Sequence, residues 1–279
     1  MEITLSDGDR ALELTPAGLE AALKLRRRLL HQQRLYSAGI RKLFGFLPSR
    51  AQVALWNGAA FLLEAPRDKG TFLCDLDGII LRDQYDIAGR PAGMTVIDAG
   101  ANIGVFSLYA AALGAKRVYA FEAVTETFRM LGRNLALSRA GTAVKAFNLA
   151  LGEAEGRAEL KFGTDGAGSA MIGGEDTVNA GVYYPARRQV RVAPLDSLVK
   201  GRVDFVKMDV EGYEARVLAG AGGLISRWKP VLSMATYHRP SDRRTLRRAL
   251  SRLQPGYRAR FNAFAEEDLC CEFGGGGRA

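Results

Sequence analysis

The chain has 279 residues, of which 48% are hydrophobic and 25% charged, the composition of an ordinary globular protein and not of a disordered one. No apolar run approaches the roughly 18 residues that a membrane span needs. Cys74 and the adjacent Cys270 and Cys271 give neither a disulfide framework nor a metal-ligand spacing. The first residues, Met1 to Asp7, lack the basic-then-apolar pattern of a secretory signal, so a cytoplasmic protein is expected. Much of the net charge of +9 sits in Lys24–Arg28 and between Arg239 and Arg260. Such clusters suit nucleic acid, anionic lipid or acidic substrates. The default reading is a solvated helix face, because no interleaved aromatics mark a single-strand stacking platform.

In chain order, Thr15-Pro16 reads as a helix N-cap followed by proline at the first helical position. Leu19, Leu23 and Leu30 then give an amphipathic helix running to about Tyr36, whose apolar side docks on its own domain by default. Val53 to Asp86 reads as short strands with turns at Asn57-Gly58, Lys69-Gly70 and Asp77-Gly78. Phe72 to Gly78 resembles the aspartate-nucleophile motif of haloacid-dehalogenase-like phosphatases. It continues as Ile79-Ile80 where those enzymes carry threonine or valine, and no partner lysine or acidic pair can be assigned; a hairpin with an Asp-Gly turn explains it more simply.

After Gly89-Arg90-Pro91 the pattern alternates regularly. Strands are expected at Met94–Asp98, Arg117–Phe121, Val144–Phe147, Val203–Met208 and Pro230–Met234. Helices fall at about 102–113, from a Thr125 cap onward, at Tyr213–Ala219 and at about 241–253. Arg157–Phe162 and Gln189–Ala193 read as strands around a Gly-rich loop, Gly163 to Asn179, of the kind that forms a mobile lid. Tyr257–Phe261 and Leu269–Phe273 suit a closing antiparallel pair, and 274–279 a flexible tail. Strand–helix alternation of this kind gives an α/β fold with a mostly parallel sheet covered on both faces. The expected organisation is an N-terminal helical and β-hairpin extension over 1–90 and a main domain over 91–273.

The chemistry concentrates at three strand ends. Asp98 closes the first regular strand before a turn through Gly100, Asn102 and Gly104, where a Cβ on either glycine would occupy ligand space. The helix beyond favours an anion at its N-terminus, so the turn suits a nucleoside-bearing cofactor. Glu122, at the end of the next strand, is placed to take both ribose hydroxyls. These two features fit nicotinamide dinucleotides and S-adenosylmethionine alike, although the turn lacks the full Gly-x-Gly-x-x-Gly spacing. Further on, Lys207, Asp209 and Glu211 emerge together at the carboxyl end of a buried strand.

Val96 to Gly104, Ala120 to Ala123, Asn148 to Gly152, Leu195 to Leu198 and Val206 to Gly212 together resemble the FkbM-type family of class I S-adenosylmethionine-dependent methyltransferases, over about 93–273. The resemblance implies a Rossmann-like, seven-stranded, mostly parallel sheet and S-adenosylmethionine as cofactor. It implies that Asp98, Gly100, Asn102 and Gly104 surround the methionine end, that Glu122 binds the ribose, and that Asn148 and Ala150 border the adenine. Asp209 and Glu211 would face the methyl group and the acceptor. Many relatives carry a glutamate and a histidine after the fifth strand; here the place reads Ala235 to Pro240 and keeps only His238. The expected reaction is O-methylation of a hydroxyl on a sugar or other small natural product. Asp209 or His238 is the expected base, and Glu211 and Lys207 orient the acceptor. No metal is required and none is expected, although Asp209, Glu211 and His238 could coordinate one if they converge. RNA as acceptor, and a non-enzymatic interaction protein, are the alternatives; a homo-oligomer is left open.

Overall fold

The computed structural model describes residues 1–7, 10–31, 47–66, 69–140, 142–162, 171–172, 186–263 and 267–274. The chain opens with a hairpin of β1 (Glu2–Asp7) and β2 (Arg10–Glu13), followed by helix α1 (Pro16–His31). Strands β3 (Arg50–Ala54) and β4 (Ala60–Glu64), joined by a turn at Asn57-Gly58, complete an antiparallel sheet in the order β2-β1-β3-β4. The opening hairpin has no strong sequence signal and was not anticipated. Leu19 and Leu23 of α1 are buried in the core that the extension shares with the main sheet, so the helix docks on its own chain as the default reading expects. The expected continuation to Tyr36, the loop 163–179 except Met171-Ile172, and the tail beyond Gly274 lie outside the described residues.

One expectation fails in this region. Lys69-Gly70 and Asp77-Gly78 are not hairpin turns, since Lys69–Asp75 forms helix α2 and Leu76–Leu81 continues it as a π-helical turn. Phe72, Leu73, Leu76 and Ile80 all bury, a helical spacing that outweighs the turn preference of Asp-Gly.

The main sheet is built from β5 (Thr95–Ala99), β6 (Arg117–Phe121) and β7 (Val144–Phe147), with helices α3 (Val105–Ala112) and α4 (Thr125–Leu137) between them. Thr125 is the first residue of α4, whose cap position is Val124. A second layer follows: β8 (Ala150–Leu151), β9 (Gly156–Phe162), β10 (Met171–Ile172) and β11 (Ala186–Ala193), ordered β10-β9-β11-β8. The chain then returns through α5 (Leu195–Leu198), β12 (Phe205–Met208), α6 (Glu214–Ala219), α7 (Gly222–Trp228) and β13 (Val231–Ala235). It closes with α8 (Asp242–Leu253), β14 (Tyr257–Ala263) and β15 (Glu267–Phe273).

The resulting seven strands run β14-β15-β13-β12-β5-β6-β7, all parallel except β15, which is antiparallel to both neighbours. Successive residues of each strand bury on opposite faces. Val96 and Phe205 join the core shared with Phe106, Leu131 and the N-terminal extension, whereas Ile97 and Val206 join the core under Val217, Leu224, Leu246 and Leu250. The extension is fastened to α4. The buried Asn134 accepts the Glu64 amide at 2.7 Å and donates to the Ile103 carbonyl at 2.9 Å. Connections leave β5 in opposite directions toward β6 and β12, so a crevice opens at the carboxyl ends of these strands, the usual ligand position in an open α/β sheet.

Candidate functional site

The turn after β5 is held by its own protein. Gly100 and Ala101 donate to the Phe121 carbonyl at 3.0 and 2.9 Å, and Asp209 donates its amide to the Ala99 carbonyl at 3.0 Å. Gly100 has φ +79°, and a Cβ there would lie 1.8 Å from the Asp209 carbonyl oxygen; at Gly104, φ +95°, it would lie 2.5 Å from a Leu131 methyl. The sequence reading of these glycines is corrected here: a side chain would first meet β12 and α4, not a ligand. Asn102, also left-handed at φ +49°, closes the turn.

Beneath the turn, Asp98 is fully buried and receives the Ser107 hydroxyl on Oδ2 at 2.6 Å. Its Oδ1 lies 3.1 Å from the Lys207 ammonium, without hydrogen-bond geometry. Lys207 instead donates to the Gly100 carbonyl at 2.6 Å. Burial disfavours the ammonium, but Asp98 and then Asp209 outweigh it and hold its pKa above the ordinary lysine value. The lysine therefore stays charged and pins the loop from below.

Asp209 is the meeting point of four elements. Tyr85 donates its hydroxyl to Oδ2 at 2.8 Å and Tyr237 to Oδ1 at 3.3 Å. His238 Nε2 lies 3.4 Å from Asp209 Oδ1 and 3.5 Å from Glu211 Oε2. Burial pushes the Asp209 carboxyl up, yet Lys207, His238 and the two tyrosines more than reverse this and hold it below its ordinary value. His238 is itself buried, which opposes its charge; the Glu214 hydrogen bond at 3.0 Å to Nδ1, with Asp209 and Glu211, nevertheless lifts it to about 10. It is an imidazolium at neutral pH. Glu214 also accepts the Val210 amide at 2.9 Å, bracing a turn in which Glu211 and Gly212 both have positive φ.

Two cavities flank this carboxylate. One, about 760 Å³, is lined by Glu122, Ala123, Leu149 and Ala150 on one side and by Asp209, Glu211 and Tyr213 on the other, with Leu160 and Ile172 of the second sheet above. The other, about 630 Å³, lies between the extension and β5–α3, lined by Cys74, Gln84, Tyr85, Phe106 and Lys207. Gly100, Asn102 and Asp209 line both. Glu122 accepts the Asn102 amide at 2.9 Å on Oε2 and the Val124 amide at 2.7 Å on Oε1, and burial, partly offset by these bonds, pushes its pKa up to about 7.

With this geometry in hand, residues 98–259, more than half of the chain, match the family model for the methyltransferase FkbM domain. The chain belongs to the FkbM methyltransferase family. "Methyltransferase sdnD" of Sordaria araneosa is 30% identical over 169 residues, covering 49% of this chain and 63% of that one. "Methyltransferase 1" of Beauveria bassiana (strain ARSEF 2860) is 31% identical over 159 residues, covering 49% and 61%. The chain thus spans less than two thirds of the length of these curated relatives. The structure of methyltransferase FkbM from Methylobacillus flagellatus KT superposes with a TM-score of 0.50 at 20% identity, covering 66% of this chain and 44% of that one, a likeness of fold.

Within this FkbM-type framework Asp98, Gly100, Asn102, Gly104, Glu122, Lys207, Asp209, Glu211 and His238 gather at one sheet edge. Ala150 lines the Glu122 cavity. Asn148 does not line either cavity; its amide donates to the Glu122 and Ala123 carbonyls at 2.9 and 3.2 Å and braces that turn. Sequence reasoning missed Tyr85, Tyr237 and Glu214. Glu214 has a signal in Glu211-Gly212-Tyr213-Glu214, since an acid two residues after the glycine of a turn can reach back to its amides. Tyr85 has none, because its partner lies 124 residues away. Asp209, Glu214 and His238 each bring a potential metal-ligand atom within 4.8 Å of the others.

Proposed function

We propose that this chain is an S-adenosylmethionine-dependent methyltransferase that O-methylates a hydroxyl of a small molecule, such as a sugar. One observation carries the reading: two cavities, one walled by Glu122 and the other by Lys207 and Tyr85, meet at a single acid, Asp209. The residues suit the cofactor. Each Glu122 oxygen accepts one backbone amide and keeps a lone pair for a ribose hydroxyl. Asp98 Oδ1 has no hydrogen bond of its own, although it is fully buried. We assign the adenosine to the Glu122 cavity, between Ala123 and Ala150, and the methionine end to the cavity between Tyr85 and the Gly100–Gly104 turn.

When bound, S-adenosylmethionine supplies an electrophilic methyl group on a sulfonium. The remaining chemistry belongs to the chain. A carboxylate held below its ordinary pKa is a weak base toward a neutral alcohol, but it is a good hydrogen-bond acceptor. Asp209 therefore orients the acceptor hydroxyl and takes its proton late, once the forming C–O bond has made that proton strongly acidic. His238, already protonated, keeps Asp209 and Glu211 in place by its charge and is not the base. Positioning of this kind contributes on the order of 7–11 kcal/mol in favourable cases.

Calorimetric titration with S-adenosylmethionine, followed by mass spectrometry of an extract incubated with isotopically labelled cofactor, tests the proposal. Binding and a new methylated hydroxyl are expected; absence of binding sinks it. RNA as acceptor draws on a different observation. Arg244, Arg247, Arg248 and Arg252 of α8 are exposed and form no ion pair among the described residues. On that reading RNA affinity falls steeply with salt.

A further inference from the structure

We infer that Tyr85, which precedes the family domain, is a positioning residue that sets Asp209 and Lys207 in their working geometry, so that the N-terminal extension is part of the catalytic site. The inference rests on the reading that Asp209 faces the transferred methyl group. Three observations support it.

The first is the double contact. The Tyr85 hydroxyl donates to Asp209 Oδ2 at 2.8 Å, while the Lys207 ammonium lies 5.3 Å from the centre of its ring. Phe106 meets that ring edge-on at 5.3 Å and an interplanar angle of 85°, which fixes its tilt. One side chain, 2% exposed, thus meets both Lys207 of β12 and Asp209 just beyond its end.

The second is how the tyrosine is presented. It stands between two non-glycine residues in the left-handed region, Asp83 at φ +48° and Asp86 at φ +59°. Each costs on the order of 1 kcal/mol or more, and such strain collects where a side chain must be aimed. The Asp83 carboxylate accepts the Ile87 and Ala88 amides at 2.9 and 3.0 Å, closing the turn.

The third is anchoring from the opposite edge of the sheet. Asp86 pairs with Arg90 and, at 2.6 Å, with Arg260 of β14; Arg90 also pairs with Glu272 of β15 at 2.7 Å. Asn262 donates to the Gln84 carbonyl at 2.6 Å. Segment 83–90 is therefore a clasp fastened to β14–β15 on one side and presenting Tyr85 to β12 on the other. A tyrosine that merely needed a buried hydrogen bond would not require anchors on both flanks.

The test is a double-mutant cycle in the full chain, read as the ratio of dissociation constants for S-adenosylhomocysteine and S-adenosylmethionine. That ratio reports how well the site's acid meets the positive sulfonium, and it needs no acceptor. Asp209 is faced by Lys207 from its own strand, Tyr237 and His238 after β13, and Tyr85 from the clasp; Asp268 of β15 acts on Tyr85. In Tyr85→Phe the preference for the sulfonium is expected to fall about ten-fold or more, as for loss of a hydrogen bond to a charged group. In an Asp209→Asn background the same change is expected to matter less than about two-fold, because no carboxylate remains to be aimed. An unchanged ratio in Tyr85→Phe, or an equal loss in both backgrounds, overturns the inference. If Tyr85→Phe does not fold, 3-fluorotyrosine at position 85 replaces it: the stronger donor should shift the ratio in the Asp209 protein and not in the Asp209→Asn protein. A ratio shift absent in Asp209→Asn itself would instead refute the role of Asp209, a distinct result.

Discussion

Gly100→Ala separates two reasons for a glycine in the turn between β5 and α3. An alanine Cβ there would stand 1.8 Å from the Asp209 carbonyl oxygen and 2.9 Å from its carbon, with φ at +79°. Gly58, in the β3–β4 turn, has nearly the same φ of +81° with nothing within 4 Å of a built Cβ. Gly58→Ala therefore carries only the left-handed backbone cost, about 1 kcal/mol. Gly100→Ala carries that plus an overlap relieved only by moving β12 from β5, about 1–3 kcal/mol more. The sum, about 2–4 kcal/mol, is a large part of the ~5–15 kcal/mol that stabilises a typical domain. At roughly 2–4 °C per kcal/mol, scanning calorimetry without cofactor should show Tm lowered by about 2–4 °C in Gly58→Ala and about 4–16 °C in Gly100→Ala. Equal falls in the two variants, with only cofactor affinity lost in Gly100→Ala, would refute the argument that the protein's own backbone demands this glycine.

Other consequences concern charge. The chain has two histidines, so carbon-13 labelling gives two ring resonances; one should titrate near pH 10, and Glu214→Gln should bring it down by more than a unit. The sign for His238 is that of a raised base: its stabilisation is full below about 6.5 and is lost as pH rises toward 10, so urea midpoints should fall across that window in wild type and less in His238→Gln. Glu122 runs the other way in origin, because its pKa is raised from 4.5 to about 7 by burial. The unfolded chain then gives up its proton first, and stability falls as pH rises from 4.5 to 7, by at most about 3 kcal/mol. Glu122→Gln should remove that slope, while one backbone amide loses its acceptor. Asn134→Ala leaves the Glu64 amide and the Ile103 carbonyl without their partner, and chemical denaturation should show a loss of about 2–4 kcal/mol.

The alternation of apolar runs and turns was enough to place β5, β6, β7, β12 and β13 within a residue or two, because a buried parallel strand leaves a short β-branched run that few other structures produce. The acids at their ends followed from topology, since any strand of such a sheet delivers its last residues to one edge. What was not legible is long-range. Nothing local to Gln84-Tyr85-Asp86 announces that the phenol reaches Asp209. The charge state of His238 likewise depends on three carboxylates from another loop. Asp77-Gly78 misled because turn chemistry was read before helical spacing: Phe72, Leu73, Leu76 and Ile80 had already set the face. At Gly100 and Gly104 the sequence suggests room for a ligand, whereas the packing shows that a Cβ would meet the Asp209 carbonyl and a Leu131 methyl.

The second sheet enters and leaves the main fold at one place. Ala150 and Leu151 lie in parallel register with Val192 and Ala193, and Gly156 is paired with Val192, so both ends of the excursion are stitched to each other before the chain departs. Because the insertion closes on itself, its two ends sit side by side, and Leu160 and Ile172 lie over the Glu122 cavity. The fold thereby sets a floor at the sheet edge, fixed by the close approach of Gly100 to Asp209, beneath a roof whose strands are tied to one another.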